Sequence, residues 1–206
     1  AYWAMCDLID AQVGRLLDAL EATGQAENTI VIFMSDHGEM LGDHNIYWKG
    51  PWFYEPAVHV PLIVSWPVKI KPGRSKALVE LQDLAPALLE AAGLEPHPGM
   101  QAKSLLPLLL GETDPDHHQD DIYCEYYNGM PCKAEEHGAF ATMLRDERYK
   151  LVVNHGWDLG ELYDLEEDPT ESKNLWADPS RQERKLAMMK RLCDRMAFMC
   201  DPLPER

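Results

Sequence analysis

An amphipathic helix followed by a short apolar strand opens the chain. Through residues 3–23, apolar side chains recur at helical spacing on one face, at Ile9, Val13, Leu16, Leu17 and Leu20. Gly24 is of the type that commonly ends a helix. Residues 29–35 then form an apolar, β-branched run, which predicts a strand buried on both faces, as in a parallel sheet. Helix, short loop and buried strand make one unit of a doubly wound α/β fold.

A long loop at residues 36–57 separates this strand from the next, which is predicted at 60–66. Sites in open α/β sheets lie beyond the carboxyl ends of strands. A long loop in a compact domain is functional or disordered, and the aromatic residues of this one argue against disorder. Asp83 is then predicted to cap a helix that runs to Ala92.

The second half of the chain alternates short apolar runs with short links. Beyond a polar connection at 114–120, the predicted strands are 122–127, 139–144, 149–153 and 161–165. The short links predict an antiparallel sheet. A last helix is predicted at 180–199, with Asp178 as its cap and Pro179 at its first position.

These elements predict an α/β fold class: part of a doubly wound mixed sheet with flanking helices, followed by a smaller antiparallel sheet plus a C-terminal helix. The predicted boundary separates an α/β domain at 1–115 from an antiparallel α+β subdomain at 116–206.

The charge balance restricts the binding partners. With 19 Lys and Arg against 35 Asp and Glu, the formal net charge is −16, which disfavours nucleic acid and anionic membranes. No apolar run approaches the ~20 residues of a membrane-spanning helix. An anionic small-molecule substrate stays compatible with this charge, since a metal and one or two cations dominate a local field.

The cysteines are odd in number and match no zinc or redox spacing; they are Cys6, Cys124, Cys132, Cys193 and Cys200. Free thiols are expected, which favours a reducing, cytoplasmic compartment, although the localisation itself stays open. A disulfide between Cys124 and Cys132 is the alternative.

Ser35-Asp36-His37-Gly38, at the end of the first strand, is the strongest candidate for chemistry. Asp36 offers a hard oxygen ligand and His37 an imidazole nitrogen, and both suit a divalent metal. Neighbouring side chains point apart in a regular strand, so joint ligation requires a backbone bend, which Gly38 permits. The alternative is a polar loop with a capping Asp, and the tetrapeptide alone does not separate the two.

Two side chains in the long loop are the next candidates. Lys49, in the aromatic and Gly-Pro segment 48–51, is either an ammonium that binds an anionic oxygen and stabilises charge on it, or a surface lysine. His44 either donates a hydrogen bond to the same anion or shuttles a proton, or it pairs with Asp43 to brace the loop. The histidine pair at 117–118 lies in an acidic linker and is expected to be solvated.

These segments together resemble the sulfatase family of the alkaline phosphatase superfamily. The likeness is carried by residues 29–64, which contain Ser-Asp-His-Gly and Trp-Lys-Gly-Pro, and by the preceding helix at 8–17. Further matching blocks, in family order, are 83–94, 104–111 and 161–169, followed by Asn174-Leu175. The resemblance spans most of the chain and is to the C-terminal half of an arylsulfatase-like enzyme.

The resemblance implies a metal-dependent hydrolase of small sulfate esters. By motif position, Asp36 and His37 match ligands of a single divalent metal, most often calcium, with manganese, magnesium or zinc as alternatives. Lys49 matches the lysine that contacts the sulfate, and is the expected catalytic and substrate-binding residue. His44 matches a position often held by His, and is the second expected catalytic residue.

The departures from the family pattern also matter. The family nucleophile is a formylglycine made from Cys in a Cys-x-Pro-x-Arg motif, and residues 200–204 begin like this motif but lack its Arg. An acidic metal-ligand pair is missing, and His59 stands where Arg is usual. The chain is therefore expected to be a fragment that is inactive alone. Such a fragment exposes an apolar edge, so association into a homo-oligomer is also expected.

Two alternatives stay open. A phosphonate monoester or phosphodiester hydrolase is the alternative within the superfamily, because sulfate and phosphate have similar shapes. A non-catalytic sulfatase-like binding module is the alternative of another class, because the nucleophile is missing. Loops 44–56 and 128–138 are expected to set specificity.

Overall fold

The structure, a computed structural model, describes residues 1–127 and 139–199. Some sequence predictions lie outside the described residues: those on the loop 128–138, on Cys132 and its alternative disulfide, and on the motif-like segment 200–204 with Cys200. Within the described ranges, Cys6, Cys124 and Cys193 are free thiols.

The first half of the chain forms a long helix and a two-stranded sheet. Helix α1 (Tyr2–Ala22) leads through a short turn to β1 (Val31–Met34). The long loop and the single helical turn α2 (Glu55–Val58) follow, and then β2 (Leu62–Ser65), which pairs with β1 in antiparallel orientation. The predicted helix and both predicted strands are confirmed, but the parallel neighbour expected for the first strand is absent from the described residues, where β1 pairs only with β2.

Two helices, α3 (Leu84–Ala91) and α4 (Leu106–Leu109), pack against this sheet. They form an apolar cluster with side chains of both strands, and its members include Ile32, Leu62, Val64, Leu84, Ala87 and Leu105. Gly93, with a φ of 74°, follows α3 in the left-handed conformation that ends helices.

Two polar residues before and after α3 differ from their predictions. Asp83 is the N-cap residue of α3, as predicted, but its side chain makes no capping hydrogen bond. The side chain is buried, and its carboxylate accepts the backbone N–H groups of Glu80 at 2.9 Å and Lys103 at 3.1 Å. His118 is buried rather than solvated, with Nε2 3.3 Å from Asp83 Oδ2. The reason is that Gln119 forms an antiparallel bridge with Leu78, which draws this part of the linker inward.

The second half forms a four-stranded antiparallel meander. Its strands are β3 (Ile122–Tyr127), β4 (Phe140–Arg145), β5 (Tyr149–Asn154) and β6 (Leu159–Asp164), and each pairs with the next. Helix α5 (Gln182–Phe198) follows. The turn that leads into it is capped by the Asp178 carboxylate, which accepts the Ser180 N–H at 2.8 Å. The predicted antiparallel sheet, C-terminal helix and cap are confirmed.

The two faces of the meander carry different partners. Helix α5 covers one face, in a cluster that includes Leu144, Tyr149, Leu151, Leu162, Met188 and Leu192. On the other face, Ala141, Met143 and Val152 pack against Phe53 of the long loop. Because side chains alternate between the faces of a strand, Lys150, next to Leu151, lies on the face that carries Phe53. The meander is thus a platform for the loop.

The predicted fold class is confirmed, but the burial of the first half is lower than predicted. Phe33 and Met34 of β1 are 39% and 41% exposed, and α1 buries none of its residues. Within residues 1–127 and 139–199, no helix combines the length and apolar character that a membrane crossing needs.

Candidate active site

Three side chains predicted to act together meet just beyond β1. His37 Nε2 lies 2.8 Å from Lys49 Nζ and 3.5 Å from Asp36 Oδ2. Lys49 is 12 positions after His37, so the loop folds back to bring its ammonium to the strand end. Asp36 and Lys49 are exposed and His37 is partly buried. The group therefore opens to solvent, where a ligand can reach it.

The hydrogen bonds of His37 define its tautomer. Nδ1 lies 2.8 Å from the carbonyl oxygen of Gly38, which can only accept, so Nδ1 carries the proton. The ammonium of Lys49 can only donate, so Nε2 is the acceptor. The lone pair of Nε2 therefore points toward Lys49 and Asp36. An imidazole whose other nitrogen donates to a carbonyl is the usual form of a metal-ligating histidine.

Asp36 is held in its charged form by the adjacent backbone. The N–H of His37 donates to Asp36 Oδ1 at 3.0 Å. This hydrogen bond lowers the pKa of the Asp36 carboxyl below its ordinary value. The carboxylate is therefore available as an oxygen ligand at neutral pH.

The backbone after His37 is bound to α2. Gly38 N–H donates to the carbonyl oxygen of Ala57 at 2.8 Å. A Cβ at Gly38 would lie 1.8 Å from the carbonyl oxygen of Pro56, so only glycine permits this approach. Gly38 is thus required here for its close approach to a segment some twenty residues later in the chain, and its φ is not one of the positive values that favour glycine.

The backbone on both sides of Lys49 is constrained. Trp48 has a φ of 70°, a conformation that costs energy in a non-glycine residue, and its N–H donates to the Glu39 carboxylate. The indole of Trp52 covers Gly50, where a Cβ would lie 2.6 Å from the ring. The ammonium of Lys49 is therefore exposed, but the main chain that carries it is held in place.

The end of the long loop docks on the four-stranded meander through three consecutive residues. Phe53 is 6% exposed and belongs to the apolar cluster on the loop-bearing face. The ring of Tyr54 lies 6.1 Å from that of Tyr163, measured between centroids. Glu55 forms an ion pair with Lys150. The position of Lys49 thus depends on a sheet formed 70 or more residues later in the chain, well outside any local pattern.

A buried charge cluster, which sequence reasoning missed, anchors this end of the loop. Lys150 is fully buried, and its Nζ lies 2.7 Å from Glu55 Oε1 and 2.6 Å from Glu171 Oε1. Nζ also donates to the carbonyl oxygen of Phe53 at 2.8 Å. Glu171 Oε2 accepts the Glu55 N–H at 2.7 Å, and Arg145 Nε lies 3.3 Å from Glu55 Oε1. Lys150 and Arg145 thus lie against the carboxylates of Glu55 and Glu171.

Glu55 also pairs with a histidine at the surface. Burial alone would raise the pKa of Glu55, but the hydrogen bond with His59 and the charges of Lys150 and Arg145 outweigh it, so its pKa falls to about 2. The hydrogen bond to Glu55 in turn raises the pKa of His59. The distance from His59 Nδ1 to Glu55 Oε2 is 3.0 Å. His59 therefore tends toward a cation.

His44 contacts a different part of the loop. Its ring stacks on Tyr54 with 3.8 Å between centroids. It lines a cleft of about 520 Å³ whose other lining residues are Asp43, Glu55, Pro56, His59 and residues 169–172. The structure thus brings together Asp36, His37 and Lys49, while His44 faces the cleft between the loop and the turn after β6.

Asp36 and His37 suit one side of a metal site. A carboxylate oxygen and an imidazole nitrogen 3.5 Å apart are donors that divalent cations accept. Within residues 1–127 and 139–199, no group of three or more His, Cys, Asp or Glu side chains is arranged to hold a metal ion. Asp36 and His37 are thus two side chains that could contribute to a coordination shell.

Comparison with known families places this geometry in context. The family described as N-sulphoglucosamine sulphohydrolase, C-terminal, matches residues 42–197, which include Lys49, the buried charge cluster and the meander. The chain belongs to the sulfatase family. The resemblance inferred from residues 29–64 is therefore confirmed.

Curated relatives of this sulfatase chain include enzymes of different specificity. It is 31% identical over 194 residues to the N-acetylglucosamine-6-O-sulfatase of Bacteroides thetaiotaomicron, covering 91% of this chain and 34% of the relative. It is 33% identical over 184 residues to the choline-sulfatase of Rhizobium meliloti, covering 87% of this chain and 33% of the relative. The chain thus spans about a third of the length of these relatives.

Solved structures share the fold. A protein in complex with its substrate, D-glucosamine-2-N,6-O-disulfate, superposes with a TM-score of 0.82 at 30% identity, over 95% of this chain and 40% of that chain. The phosphonate monoester hydrolase of Agrobacterium radiobacter superposes with a TM-score of 0.84 at 30% identity, over 97% of this chain and 41% of that chain. The sulfatase chain therefore shares its fold with enzymes named for two ester classes.

Proposed function

We propose that this chain is the C-terminal part of a sulfate ester hydrolase and that Asp36, His37 and Lys49 form one side of its active site. The observation that carries the proposal is the meeting of three groups: an exposed carboxylate, a neutral imidazole and an ammonium 2.8 Å from that imidazole. Family membership supports it, as do the sulfatases named among its relatives.

The three residues divide the work between cation and anion binding. Asp36 and His37 would hold a divalent metal, most often calcium in the family, and a bound metal would neutralise negative charge on the sulfate oxygens. Lys49 would donate hydrogen bonds to a sulfate oxygen and stabilise the charge that grows on it during cleavage. Aimed at developing charge, a fixed cation of this kind is among the strongest catalytic contributions that a protein makes.

Other parts of the reaction belong elsewhere in the full-length protein. Because the chain covers about a third of its curated relatives, the formylglycine nucleophile and the remaining metal ligands would come from the part that those relatives contain and this chain lacks. The proposed division is a catalytic α/β domain that ends near residue 115 and a C-terminal subdomain beyond it. His44 would act from the cleft, by hydrogen bonding to the substrate or by proton transfer.

Hydrolysis of phosphonate monoesters is the second candidate. The observation that favours it is the superposition on the phosphonate monoester hydrolase, whose TM-score of 0.84 is as high as those of the sulfatases. Metal, ammonium and imidazole would bind the oxygens of either ester class, because both present a tetrahedral anion.

Turnover of an aryl sulfate and an aryl phosphonate monoester, measured side by side with the full-length protein, tests both functions. The proposal expects the sulfate to be the better substrate and a metal chelator to abolish its cleavage. Asp36→Ala should abolish metal-dependent turnover as well. Unchanged turnover in this variant, or cleavage of the phosphonate alone, would count against a sulfatase site at Asp36.

A further inference from the structure

We propose that Lys150 is a positioning residue: its buried ammonium fixes the loop that carries Lys49 and, through α2, the backbone that carries His37. The inference rests on the proposed function only where it concerns substrate binding. That Lys150 holds the loop in place is a property of the fold. Lys150 lies far from the proposed anion site in sequence. Its polar partners among the described residues are Phe53, Glu55 and Glu171, which are not residues of that site.

The ammonium of Lys150 has three polar partners, and two of them belong to the loop. It donates a hydrogen bond to the carbonyl oxygen of Phe53 at 2.8 Å, and it forms ion pairs with Glu55 Oε1 at 2.7 Å and Glu171 Oε1 at 2.6 Å. Glu171 accepts the backbone N–H of Glu55 as well. The ammonium of Lys150 therefore holds the main chain of Phe53 and the side chain of Glu55 together.

The first consequence concerns Lys49. The segment from Lys49 to Phe53 is short, and the indole of Trp52 lies over Gly50 within it. Phe53, at its end, is fixed by its carbonyl bond to Lys150 and by the apolar cluster of the meander. Movement of Phe53 and Glu55 would therefore carry the ammonium of Lys49 with it.

The second consequence concerns His37. Glu55 begins α2, and the next two residues, Pro56 and Ala57, supply the carbonyl oxygens that contact Gly38. Because Gly38 has no room for a Cβ there, a shift of α2 displaces the backbone next to His37. Lys150 thus controls both sides of the pair formed by His37 and Lys49.

A lysine completely removed from water is costly unless its charge is matched. An apolar side chain on the same face, like Val152 two residues later, would fill the space without that cost. An apolar side chain at position 150, however, would lose the hydrogen bond to Phe53 and the ion pair with Glu55. Apolar contacts do not select one orientation, so they would not replace these contacts. Directed positioning is the advantage that a lysine holds at this site.

The test uses the full-length protein with Lys150→Met and, as matched control, Arg191→Met. Arg191 also bridges two carboxylates, at 2.7 Å from Asp121 and 2.9 Å from Asp146, but it joins α5 to the start of β3 and the turn after β4, away from the long loop. Three quantities are compared at a temperature where all variants are folded. They are amide hydrogen exchange in residues 49–58, inhibition by inorganic sulfate, and kcat and KM for an aryl sulfate.

Lys150→Met should speed exchange in residues 49–58 and raise the inhibition constant of sulfate by about 10-fold or more, since small misplacements of a binding group have effects of this size. It should lower kcat/KM by a similar factor, whereas Arg191→Met should keep wild-type values of all three. If Lys150→Met does not fold, Lys150→Gln, which keeps a hydrogen-bond donor, takes its place. Its effects on exchange, sulfate inhibition and kcat/KM should have the same direction and be smaller.

Two results would overturn the inference. One is a folded Lys150 variant with wild-type exchange and sulfate inhibition, and the other is an equal loss in Arg191→Met, which would indicate general destabilisation. If the wild-type protein cleaves no sulfate or phosphonate ester, the proposed function fails instead. The exchange measurement then still decides whether Lys150 braces the loop.

Discussion

The ammonium of Lys49 donates a hydrogen bond to Nε2 of His37 across 2.8 Å. It thereby occupies the lone pair that a metal would use. The proposed metal ligand and the proposed anion-binding group thus share one hydrogen bond at the end of β1. If His37 holds a metal through this nitrogen, the ammonium of Lys49 would have to leave it and would then be free to bind an anion. The proposed function therefore makes metal binding and substrate binding depend on the same side-chain pair.

Lys49→Ala in the full-length protein should lower kcat for an aryl sulfate by about 100-fold, the size typical for removing one group that stabilises developing charge. The fold should not change, because the side chain is exposed. Steady-state kinetics measure the loss, and circular dichroism checks the fold. Lys71→Ala removes another exposed lysine and should leave kcat unaltered. A kcat for Lys49→Ala within a factor of two of wild type would contradict the role.

His37→Ala should weaken divalent metal binding by at least about 10-fold, since losing even an outer-shell partner of a ligand has that effect. Isothermal titration of the full-length protein with calcium measures it, without any need for turnover. The control is Asp158→Asn, which removes an exposed carboxylate in the turn after β5. Equal affinity in His37→Ala and wild type would remove this residue from the metal site.

Gly38→Ala should destabilise the fold by about 2 kcal/mol or more, because the new methyl group would overlap the carbonyl oxygen of Pro56 at 1.8 Å. Gly14→Ala is the matched control: it lies within α1 with no atom within 4 Å of the added Cβ. That change should stabilise the helix by up to about 1 kcal/mol. Urea unfolding of the chain measures both. Similar stability of the two variants would show that the contact between Gly38 and α2 is absent.

The Glu55 carboxylate should give the fold a defined acid dependence. Its folded pKa is about 2, below its ordinary value of 4.5, so its stabilising effect is complete above pH 4.5 and is lost as the pH falls toward 2. The raised pKa of His59 has the opposite sign: its contribution is complete below its ordinary value of 6.5 and is lost as the pH rises through the folded value.

The stability gap between wild type and Glu55→Gln should therefore be widest between about pH 4.5 and 6.5 and narrow on both sides. Urea midpoints across this range measure the gap. Glu21→Gln, which changes an exposed carboxylate on α1, should show no such profile. A gap for Glu55→Gln that stays constant from pH 7 to about pH 2 would contradict the ion pairs assigned to Glu55.

Local patterns predicted the elements of the fold well. Alternation and turn residues predicted β3 at its observed bounds and the other strands of the meander within a few residues. Asp178 acts as the predicted cap. Such features depend on neighbours along the chain, which a sequence shows directly.

Burial and long-range polar contacts could not be predicted in the same way. His118 and Asp83 are buried because distant segments cover them. Lys150 appears in the sequence merely as a polar residue between Tyr149 and Leu151, and its partner Glu171 adopts a φ of 55° that no pattern indicates. A lysine inside an apolar strand is nevertheless a signal, since such a residue is seldom buried without a matched charge.

In the candidate site, too, local features were predicted and long-range contacts were not. The residue pattern alone left the roles of Asp36, His37 and Lys49 open, and the family resemblance named them together. The structure places His37 Nε2 2.8 Å from Lys49 Nζ and 3.5 Å from Asp36 Oδ2, while their roles stay a prediction. The motif gave no sign that His44 would stack on Tyr54 and face a cleft. Its position depends on where the loop meets the meander, which a local motif does not contain.

A crystal structure of the full-length protein with calcium and inorganic sulfate would decide whether Asp36, His37 and Lys49 form one site. We expect one cation bound by the Asp36 carboxylate and His37 Nε2, and a sulfate oxygen within hydrogen-bonding distance of Lys49 Nζ. A cation and a sulfate bound at other residues, with Asp36 and His37 turned toward bulk water and Lys49 away from both, would contradict it.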